Sequence, residues 1–398
     1  MITPDNYNFK PLQTQMKLVY IHGNKITSEM ANLLQVVSMC DAFASKGVNV
    51  ELVTPYTKEK IDNPHEYLSS RFEMENGLDL SFYSKMKLFN RLDILGSYFG
   101  IKKYLNKNKN KANLYFTRSP LIFFLLANKK LPVIYEAHNS KIHNNIKLFD
   151  RYWSQKVIEA SQISSCLAFI PISEKLGDYW REKGVPPQKI LPLHDGFNNQ
   201  MFKENIPKNQ ARLELKLPVE NKIVTYTGSL YPNREIENII ELAKHFSKEL
   251  FIVVGGPQKN ADHYQSVAKK QGITNINFTG PVEHSRIPLY LYASDVLLAL
   301  WSKKVPTINY CSPLKIFEYM AAGRIIVAHG FPTIKEIIRH EENGLLVLPG
   351  NFEDLIEKTS IAINNTNHKN IEKQARADAF EKYTWNKRVT KILEAINN

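Results

Sequence analysis

Residues 16–55 read MKLVYIHGNKITSEMANLLQVVSMCDAFASKGVNVELVTP, and their pattern decides the fold class. A short apolar run begins at Met16 and ends at Gly23, and a second apolar run follows Gly47. Between them, apolar residues recur every three or four positions, which predicts a helix with Ser28 as its N-cap and Gly47 at its C-terminal end. Strand, loop, helix and strand form a βαβ unit, the seed of a parallel doubly wound sheet.

Similar units recur along the rest of the chain. In 112–198, the segments ANLYFTRS, LPVIYEAHNS, CLAFIPIS and KILPLHDGFN predict strands separated by helices. The polar segment 203–222 contains prolines and predicts a connector, after which a second series opens with IVTYTGSL at 223–230. We therefore predict an α/β protein with two Rossmann-like doubly wound domains, at 1–200 and 201–375.

Composition limits the class of protein. The chain has 398 residues, with 43% hydrophobic and 23% charged side chains, which suits a globular protein of about two domains. Three widely separated cysteines (Cys40, Cys166 and Cys311) suggest neither a disulfide framework nor a zinc site. The first residues are polar, unlike a signal peptide, and no apolar run approaches the roughly 20 residues of a membrane span. We predict a cytoplasmic protein, with the inner face of the plasma membrane as a candidate location.

The net charge of +13 is partly concentrated in the segment 86–111. Apolar residues recur there at roughly helical spacing beside Lys102, Lys103 and further lysines. A basic amphipathic helix of this kind suggests contact with an anionic membrane surface. The alternative is a helix that packs on the core and is followed by a solvated lysine-rich loop. Zinc-finger spacing and an RNA-binding aromatic signature are missing, so nucleic acid is not predicted as a partner.

A second stretch, SPLKIFEYMAAGRIIVAHG from Ser312 to Gly330, suggests a phosphate site. The chain turns at Ser312 and Pro313 and enters a helix whose first N–H groups have no partner within the helix. Such donors, together with the positive end of the helix dipole, suit a phosphate group. Glu318 stands one turn into that helix. The alternatives are an ordinary helix start after Ser-Pro and a solvated helix acid.

With these motifs, the chain resembles glycosyltransferase family 4, whose GT-B architecture has two facing Rossmann-like domains. SPLKIFEYMAAGRIIVA at 312–328, followed by ENGLLVLPGN at 342–351, is similar to the donor-binding region of that family. The resemblance implies a retaining, metal-independent enzyme without a cofactor. It would move a sugar from a nucleotide-diphosphate donor to a hydroxyl of a glycan or lipid-linked acceptor, in cell-surface polysaccharide or glycoconjugate synthesis. A terminal helix at 376–398 would cross back onto the first domain.

The resemblance assigns donor-side roles around the second stretch. Ser312 and Pro313 would form a loop at the donor, and the backbone of Leu314 and Lys315 would bind its phosphates. Glu318 would accept hydrogen bonds from the two adjacent ribose hydroxyls, which suit one carboxylate. In this segment, therefore, the resemblance and the helix-start argument agree on a phosphate site.

The segment YTGSLYPNREIENII resembles the family's other phosphate-binding region. Gly228 and Ser229 stand at its Gly-Arg pair, and Arg234 stands where the family has a lysine. A guanidinium beside a diphosphate binds it and stabilises the charge that grows as the sugar leaves, which implies a catalytic Arg234. The alternative is a salt bridge to Glu235 or Glu237 on a helix surface. Because Ser229 replaces arginine, one of two expected phosphate cations is absent.

Other positions bear on the sugar and the base. Tyr310 stands where the family usually has a further glutamate that contacts the donor sugar, so the sugar is harder to predict. Backbone groups near Val282 would contact the base and leave no side-chain signature, with a UDP-sugar favoured over a GDP-sugar. In the first domain, His138 follows a predicted strand, where the family often has a catalytic histidine. Gly23 and Asn24 would line the acceptor side.

Two other functions stay open at this point. A non-catalytic GT-B subunit that binds a partner is favoured by Tyr310 and Ser229, which depart from the family pattern. A nucleotide-sugar epimerase would need several acid and histidine groups, of which Glu136 and His138 supply some. The G-x-G-x-x-G fingerprint is missing after the first strand, which disfavours a nicotinamide-dependent dehydrogenase.

Overall fold

The computed structural model describes residues 16–27, 31–57, 63–72, 74–84, 93–108, 112–140, 147–364 and 368–397. The chain divides into two compact units. The first unit comprises 1–136 and 143–169, and the second comprises 137–142 and 170–398. The domain boundary expected near residue 200 stays a prediction. The expected helix N-cap at Ser28 lies outside the described residues.

The first six-stranded sheet has the order β3-β2-β1-β4-β5-β6. Its strands are β1 (Lys17–Ile21), β2 (Asn49–Pro55), β3 (Asp79–Tyr83), β4 (Leu114–Thr117), β5 (Val133–Ala137) and β6 (Cys166–Pro171). The helices in this part of the chain are α1 (Ala31–Ala44), α2 (Pro64–Phe72), α3 (Asp93–Lys107), α4 (Pro120–Asn128), α5 (Lys147–Gln162) and α6 (Glu174–Glu182).

The second six-stranded sheet has the order β12-β11-β10-β7-β8-β9. Its strands are β7 (Ile223–Thr227), β8 (Leu250–Val254), β9 (Ile276–Phe278), β10 (Val296–Ala299), β11 (Ile325–His329) and β12 (Leu345–Val347). The accompanying helices are α7 (Lys208–Glu214), α8 (Ile236–His245), α9 (Gln258–Lys270), α10 (Ile287–Ala293), α11 (Leu314–Ala322), α12 (Pro332–Lys335), α13 (Phe352–Asn364), α14 (Lys369–Lys382) and α15 (Trp385–Asn397). Two parallel sheets with helices between the strands confirm the predicted α/β class.

The second sheet winds in opposite directions from its two central strands. From β7 the chain moves outward through β8 to β9, and from β10 it moves outward through β11 to β12. β7 and β10 are neighbours, with Val296 paired in parallel to Val224, and both strands are buried throughout. The loops that follow β7 and β10 therefore leave the sheet side by side, at the edge where sheets of this topology bind ligands.

Two predicted elements are wrong. The segment 189–198, predicted as a strand, is irregular, and the guanidinium of Arg388 donates to the carbonyls of Leu193 and His194 at 3.2 and 2.9 Å. A side chain thus satisfies backbone groups that a sheet would have paired. The segment 203–222, predicted as a connector, contains helix α7, whose Arg212 is buried.

Gly196 has a structural role that does not depend on an unusual backbone conformation, since it is not among the glycines with positive φ. A Cβ at this position would lie 2.6 Å from the carbonyl oxygen of Tyr383 and 2.9 Å from the backbone nitrogen of Trp385. Close approach of two backbone segments therefore requires the missing side chain.

The Asn-Gly of the ENGLLVLPGN motif is also structural. Asn343 is buried; its Nδ2 donates to the carbonyl of Ile337 at 3.2 Å and to the carboxylate of Asp378 at 2.9 Å. Burial alone would raise the pKa of Asp378, but hydrogen bonds from Lys382, Asn343 and Arg339 outweigh it and lower that pKa to about 2. The motif therefore fixes the turn before β12 to helix α14.

Candidate functional site

Glycines bring three loops of the second sheet into backbone contact. The N–H of Gly228, just after β7, donates to the carbonyl of Val254 at 2.9 Å, and the N–H of Gly255 donates to that of Gly280 at 3.0 Å. Gly228 has φ +140°, and a Cβ at Gly256 would lie 2.4 Å from the side chain of Leu230. The loops after β7, β8 and β9 can pack this closely only because side chains are absent there.

Helix α11 begins beside the loop after β7, and its N-terminus lacks a side-chain cap. Pro313 is the N-cap residue, with φ −82° and ψ 113°, and no side chain caps the first turn. The N–H groups of Leu314 and Lys315 are therefore among those that an α-helix leaves unpaired. Ser312 is buried and anchors this start, because its Oγ accepts a hydrogen bond from the N–H of Asp195 at 2.8 Å.

Tyr319 ties α11 to both central strands. Its hydroxyl accepts a hydrogen bond from the N–H of Thr227 at 2.7 Å and lies 3.4 Å from the carbonyl of Leu298, to which it donates. Burial raises the pKa of Tyr319, so this hydroxyl keeps its proton at neutral pH. Because one helix residue contacts β7 and β10, the start of α11 is fixed against the loop that contains Gly228.

Glu318 meets the segment that follows β9. Its Oε1 lies 3.0 Å from Nε2 of His284, and the two side chains are 13% and 30% exposed. His284 begins a 3₁₀ turn (His284–Arg286) two residues after Val282, whose side chain packs on a small cluster that includes Ile223. The structure thus joins Glu318, predicted for the ribose, to the segment that contains Val282, predicted for the base, through His284. Sequence reasoning missed His284, which no motif singles out.

Lys315 extends from α11 back to the loop after β7. Its Nζ lies 3.8 Å from the ring centroid of Tyr226 and 5.3 Å from that of Trp301. Trp301 follows β10, and its backbone N–H and carbonyl lie 3.3 and 2.8 Å from Nδ1 of the buried His329. Burial, and then the charge of Arg234, lower the pKa of Lys315 well below its usual value. Neither ring was predicted as part of the site.

Arg234 is partly buried in the turn that leads into α8. Asn233 and Glu235 on either side have positive φ, 69° and 59°, which fixes the backbone around it. Its charge acts on the pKa values of both Tyr226 and Lys315, so the guanidinium lies near them.

The salt bridges proposed from the sequence for Arg234 are not formed within the described residues. The carboxylate of Glu235 instead contacts Asn238, and that of Glu237 accepts a hydrogen bond from the hydroxyl of Tyr264 at 3.3 Å. The guanidinium therefore stays available for an anionic ligand.

Two residues that depart from the family pattern are held through their backbones. The carbonyl of Ser229 accepts a hydrogen bond from the hydroxyl of Tyr226 at 3.4 Å. The carbonyl of Tyr310 accepts one from Oγ of Ser173 at 3.0 Å, while its N–H donates to the carbonyl of Thr307. Neither contact supplies the charge of the arginine or glutamate that the resemblance would place there.

The first sheet has a similar arrangement, because its winding reverses between β1 and β4. Gly23 and Asn24 follow β1 and are partly exposed, and a Cβ at Gly23 would lie 4.0 Å from that of Ser119, two residues after β4. Glu136 is buried and accepts a hydrogen bond from Nε2 of Gln35 at 2.6 Å, which is a structural role.

His138 stands one residue past β5 and is partly buried. Its predicted catalytic role, like the predicted roles of Gly23 and Asn24, rests on the resemblance.

Comparison with known proteins gives the family. The model described as "Glycosyltransferase Family 4" matches residues 35–200, and the model described as "Glycosyl transferases group 1" matches residues 207–378. The chain belongs to glycosyltransferase family 4. Together the two models cover most of both α/β series, and the GT-B fold predicted from the sequence is confirmed.

The relatives of this glycosyltransferase agree with that assignment. It is 24% identical over 211 residues to an uncharacterized glycosyltransferase of Methanocaldococcus jannaschii, covering 50% of this chain and 52% of the relative. A second uncharacterized glycosyltransferase of the same organism is 24% identical over 289 residues, covering 70% and 71%. The chain thus spans about half the length of the first relative and 71% of the second.

Solved structures share the fold. The structure of Anabaena HepE in complex with UDP and glucose matches with a TM-score of 0.70 at 16% identity, covering 96% of this chain and 100% of that one. At this identity the match speaks for the architecture alone.

Proposed function

We propose that this glycosyltransferase transfers a sugar from a nucleotide diphosphate to a hydroxyl group, with retention of configuration. The observation that carries the proposal is the meeting, at the switch point of the second sheet, of an uncapped helix N-terminus, the basic side chains of Lys315 and Arg234, and a carboxylate. The N–H groups at the start of α11, with Lys315 and Arg234, suit a diphosphate. Glu318, one turn further along α11, would then accept the ribose hydroxyls in place of His284.

Retention would follow from attack on the same face of the sugar as the departing phosphate. In this mechanism the leaving phosphate oxygen takes the proton of the acceptor hydroxyl while the bond to the sugar breaks. Arg234 and the N–H groups of Leu314 and Lys315 would stabilise the negative charge on that phosphate. Because these groups supply positive charge themselves, we propose a metal-independent reaction without a cofactor.

The donor and acceptor are proposed on different grounds. A UDP-sugar is proposed as donor over a GDP-sugar by analogy only, because HepE, which shares the fold, was solved with UDP and glucose. A glycan or lipid-linked acceptor, in cell-surface polysaccharide or glycoconjugate synthesis, is the acceptor class that the family resemblance favours. Gly23 and Asn24 would line its site from the switch point of the first sheet, and His138 would act at the donor sugar.

Replacing Glu318 by alanine tests the donor site. Removal of two hydrogen bonds to a charged group, worth about 1.5–3 kcal/mol each, should weaken nucleotide binding by at least about a hundred-fold. The measurement is a thermal-shift titration of the wild type and the variant with UDP, GDP, ADP and their sugars, since a ligand that binds the folded state raises Tm. Glu381→Ala, which removes an exposed acid from α14, is the matched control and should respond like the wild type.

The same titration separates the alternatives. A single nucleotide that shifts the wild type and the control, but shifts Glu318→Ala much less, identifies the base and supports the donor site. If no nucleotide shifts the wild type, the enzyme reading fails and the non-catalytic GT-B subunit takes its place.

We also propose that the exposed face of α3 contacts an anionic membrane. Ile101 and Leu105 are buried, whereas Lys102 and Lys103 are exposed and Phe99 is 45% exposed. The helix thus packs on its unit, as the alternative reading expected, and still presents a basic face with an aromatic side chain. Residues 86–92 and 109–111 of the predicted basic segment lie outside the described residues. In the described part of the chain, no helix is long and apolar enough to cross a membrane.

Charge reversal on α3 tests this contact. Each lysine near an anionic surface contributes about 1 kcal/mol, so Lys102→Glu with Lys103→Glu should lower binding to phosphatidylglycerol vesicles by at least about 30-fold. Co-sedimentation at low salt measures it, with phosphatidylcholine vesicles as the uncharged reference. Lys387→Glu with Lys391→Glu on α15 carries the same change in net charge and should bind nearly like the wild type. Equal losses in both double variants would show that only net charge matters.

A further inference from the structure

In the loop after β7, position 229 carries no cation, although this position lies next to the proposed phosphate site. Ser229 is uncharged and follows Gly228, next to the uncapped start of α11. Arg234, five positions further along the chain, is then the one cation that the segment 228–235 supplies. A diphosphate carries more negative charge than one guanidinium balances. A second cation must therefore come from another helix or loop of this unit.

Lys315 reaches that place from α11. A Cβ at Gly228 would lie 2.9 Å from Nζ of Lys315 and 3.3 Å from its Cε, so the ammonium lies directly against the backbone of this loop. The rings of Tyr226 and Trp301 flank it. Tyr226 also donates its hydroxyl hydrogen bond to the carbonyl of Ser229. The ammonium thus stands beside the position where an arginine at 229 would begin.

The described part of the protein gives the ammonium of Lys315 little compensating negative charge. Within the described residues, Lys315 forms no ion pair, and the charge of Arg234 disfavours the protonated lysine. Aromatic faces attract a cation, by about 0.5–2 kcal/mol, but they do not replace an anion. Glu318 acts in the opposite direction to Arg234, as the smallest of the three influences on the pKa of Lys315. An anion between the two cations would remove the conflict.

We propose that the ammonium of Lys315 replaces the guanidinium missing at position 229 and binds the donor diphosphate together with Arg234. The inference rests on the proposed function, because it assumes a nucleotide diphosphate at this site. It adds a side-chain role to the backbone role that the resemblance implies for this residue.

Moving the cation between the two positions tests the proposal. Lys315→Met should weaken binding of UDP about ten- to hundred-fold, the range for losing a hydrogen bond from a charged donor. Binding of UMP should change less, because one phosphate fewer needs the cation. Adding Ser229→Arg to Lys315→Met should recover at least part of the lost UDP affinity. Ser229→Arg alone should not improve on the wild type, because it adds a third positive charge beside Lys315 and Arg234.

Calorimetry gives a second readout that a purely structural lysine would not change. If the diphosphate stabilises the charged ammonium, UDP binding at pH 8 should take up protons in the wild type, so the measured enthalpy should depend on the ionisation enthalpy of the buffer. In Lys315→Met this dependence should be smaller. Lys315→Gln, which keeps a polar side chain, serves as the second variant if the methionine variant does not fold.

The outcomes separate this inference from the function on which it rests. If the wild type binds none of UDP, GDP or ADP, the proposed function fails and the inference fails with it. If the wild type binds UDP and Lys315→Met binds it equally well with unchanged proton uptake, the function stands and the role of Lys315 is refuted. Loss of UDP affinity without any recovery by Ser229→Arg would refute the replacement of the missing guanidinium.

Discussion

Replacing Arg234 by methionine is expected to lower kcat for sugar transfer by about 10²–10³-fold, the range observed when one donor that stabilises developing negative charge is removed. Arg234 lies near Lys315 and Tyr226, and within the described residues neither Glu235 nor Glu237 holds its guanidinium. Negative charge on the bridging phosphate oxygen grows only as the sugar departs. The loss should therefore appear more in kcat than in the affinity for the nucleotide.

Initial rates with a UDP-sugar and the accepted hydroxyl compound would measure this effect. If the acceptor is unknown, the release of UDP measures hydrolysis of the donor instead. Arg234→Lys keeps the charge and should retain more activity than Arg234→Met, although a lysine cannot make bidentate contacts. Lys248→Met removes an exposed cation elsewhere in the second unit and should leave kcat unchanged. A kcat for Arg234→Met within twofold of the wild type would exclude Arg234 from leaving-group stabilisation.

The sequence predicts the strands best where both faces of a strand are buried. Segments such as LFIVV in β8 and VLLA in β10 are almost continuously apolar, and the structure buries nearly all of their positions. Such runs are typical of parallel sheets covered on both sides. The segment 189–198 misled the prediction because its apolar residues face other packing partners. Phe197, for example, lies against the rings of Phe202 and Phe380.

Helix α7 was missed for the opposite reason. KNQARLE is short and mostly polar, and its buried members are Ala211 and Arg212. A buried arginine looks like a surface residue in any hydrophobicity pattern, because its burial depends on partners far away in sequence. Asp295, one of these partners, stands 83 positions further along the chain.

In the candidate site, too, some residues could be predicted from local sequence and others could not. The start of α11 could be predicted because Ser312, Pro313 and Glu318 lie within one short segment whose signals are local. The rings around Lys315 come from the ends of β7 and β10, and His284 stands 34 positions before Glu318. Nothing in the local pattern tells which side chains meet across strand ends, so these contacts required the structure.

Replacing Arg212 by methionine is expected to lower the free energy of unfolding by about 3–5 kcal/mol, the cost of breaking a buried ion pair by removing one partner. Arg212 is 2% exposed, and its Nη2 donates to Oδ2 of Asp295 at 2.5 Å. Its Nε donates to the carbonyl of Ala293 at 2.9 Å, and its Nη1 donates to that of Asn221, also at 2.9 Å. Methionine fills similar space but leaves the two carbonyls without this donor and the buried carboxylate without its guanidinium partner.

Asp295 adds a pH dependence to this ion pair. Its carboxylate also accepts hydrogen bonds from Nζ of Lys208 at 2.6 Å and from the N–H of Ile223 at 2.8 Å. Burial would raise the pKa of Asp295, but these hydrogen bonds and the charges of Lys208 and Arg212 outweigh it and lower that pKa. A carboxyl group whose pKa is lowered by folding stabilises the protein above its unfolded pKa of about 3.9, and the contribution disappears as the pH falls further.

Urea unfolding of the wild type and three variants at pH 7 and at pH 3.5 would measure both effects. Lys208→Met is the matched control: its side chain is 40% exposed, so it should cost at most about 1 kcal/mol. Asp295→Asn should destabilise at pH 7 and lose part of that difference at pH 3.5, because this pH lies below the unfolded pKa of about 3.9 and the carboxyl group then binds protons in the unfolded chain. The contrary result is that Arg212→Met unfolds at the same urea concentration as the wild type. That result would show that the Arg212–Asp295 pair does not hold α7 to the start of β7 and the end of α10. The missed helix would then depend on its apolar contacts alone.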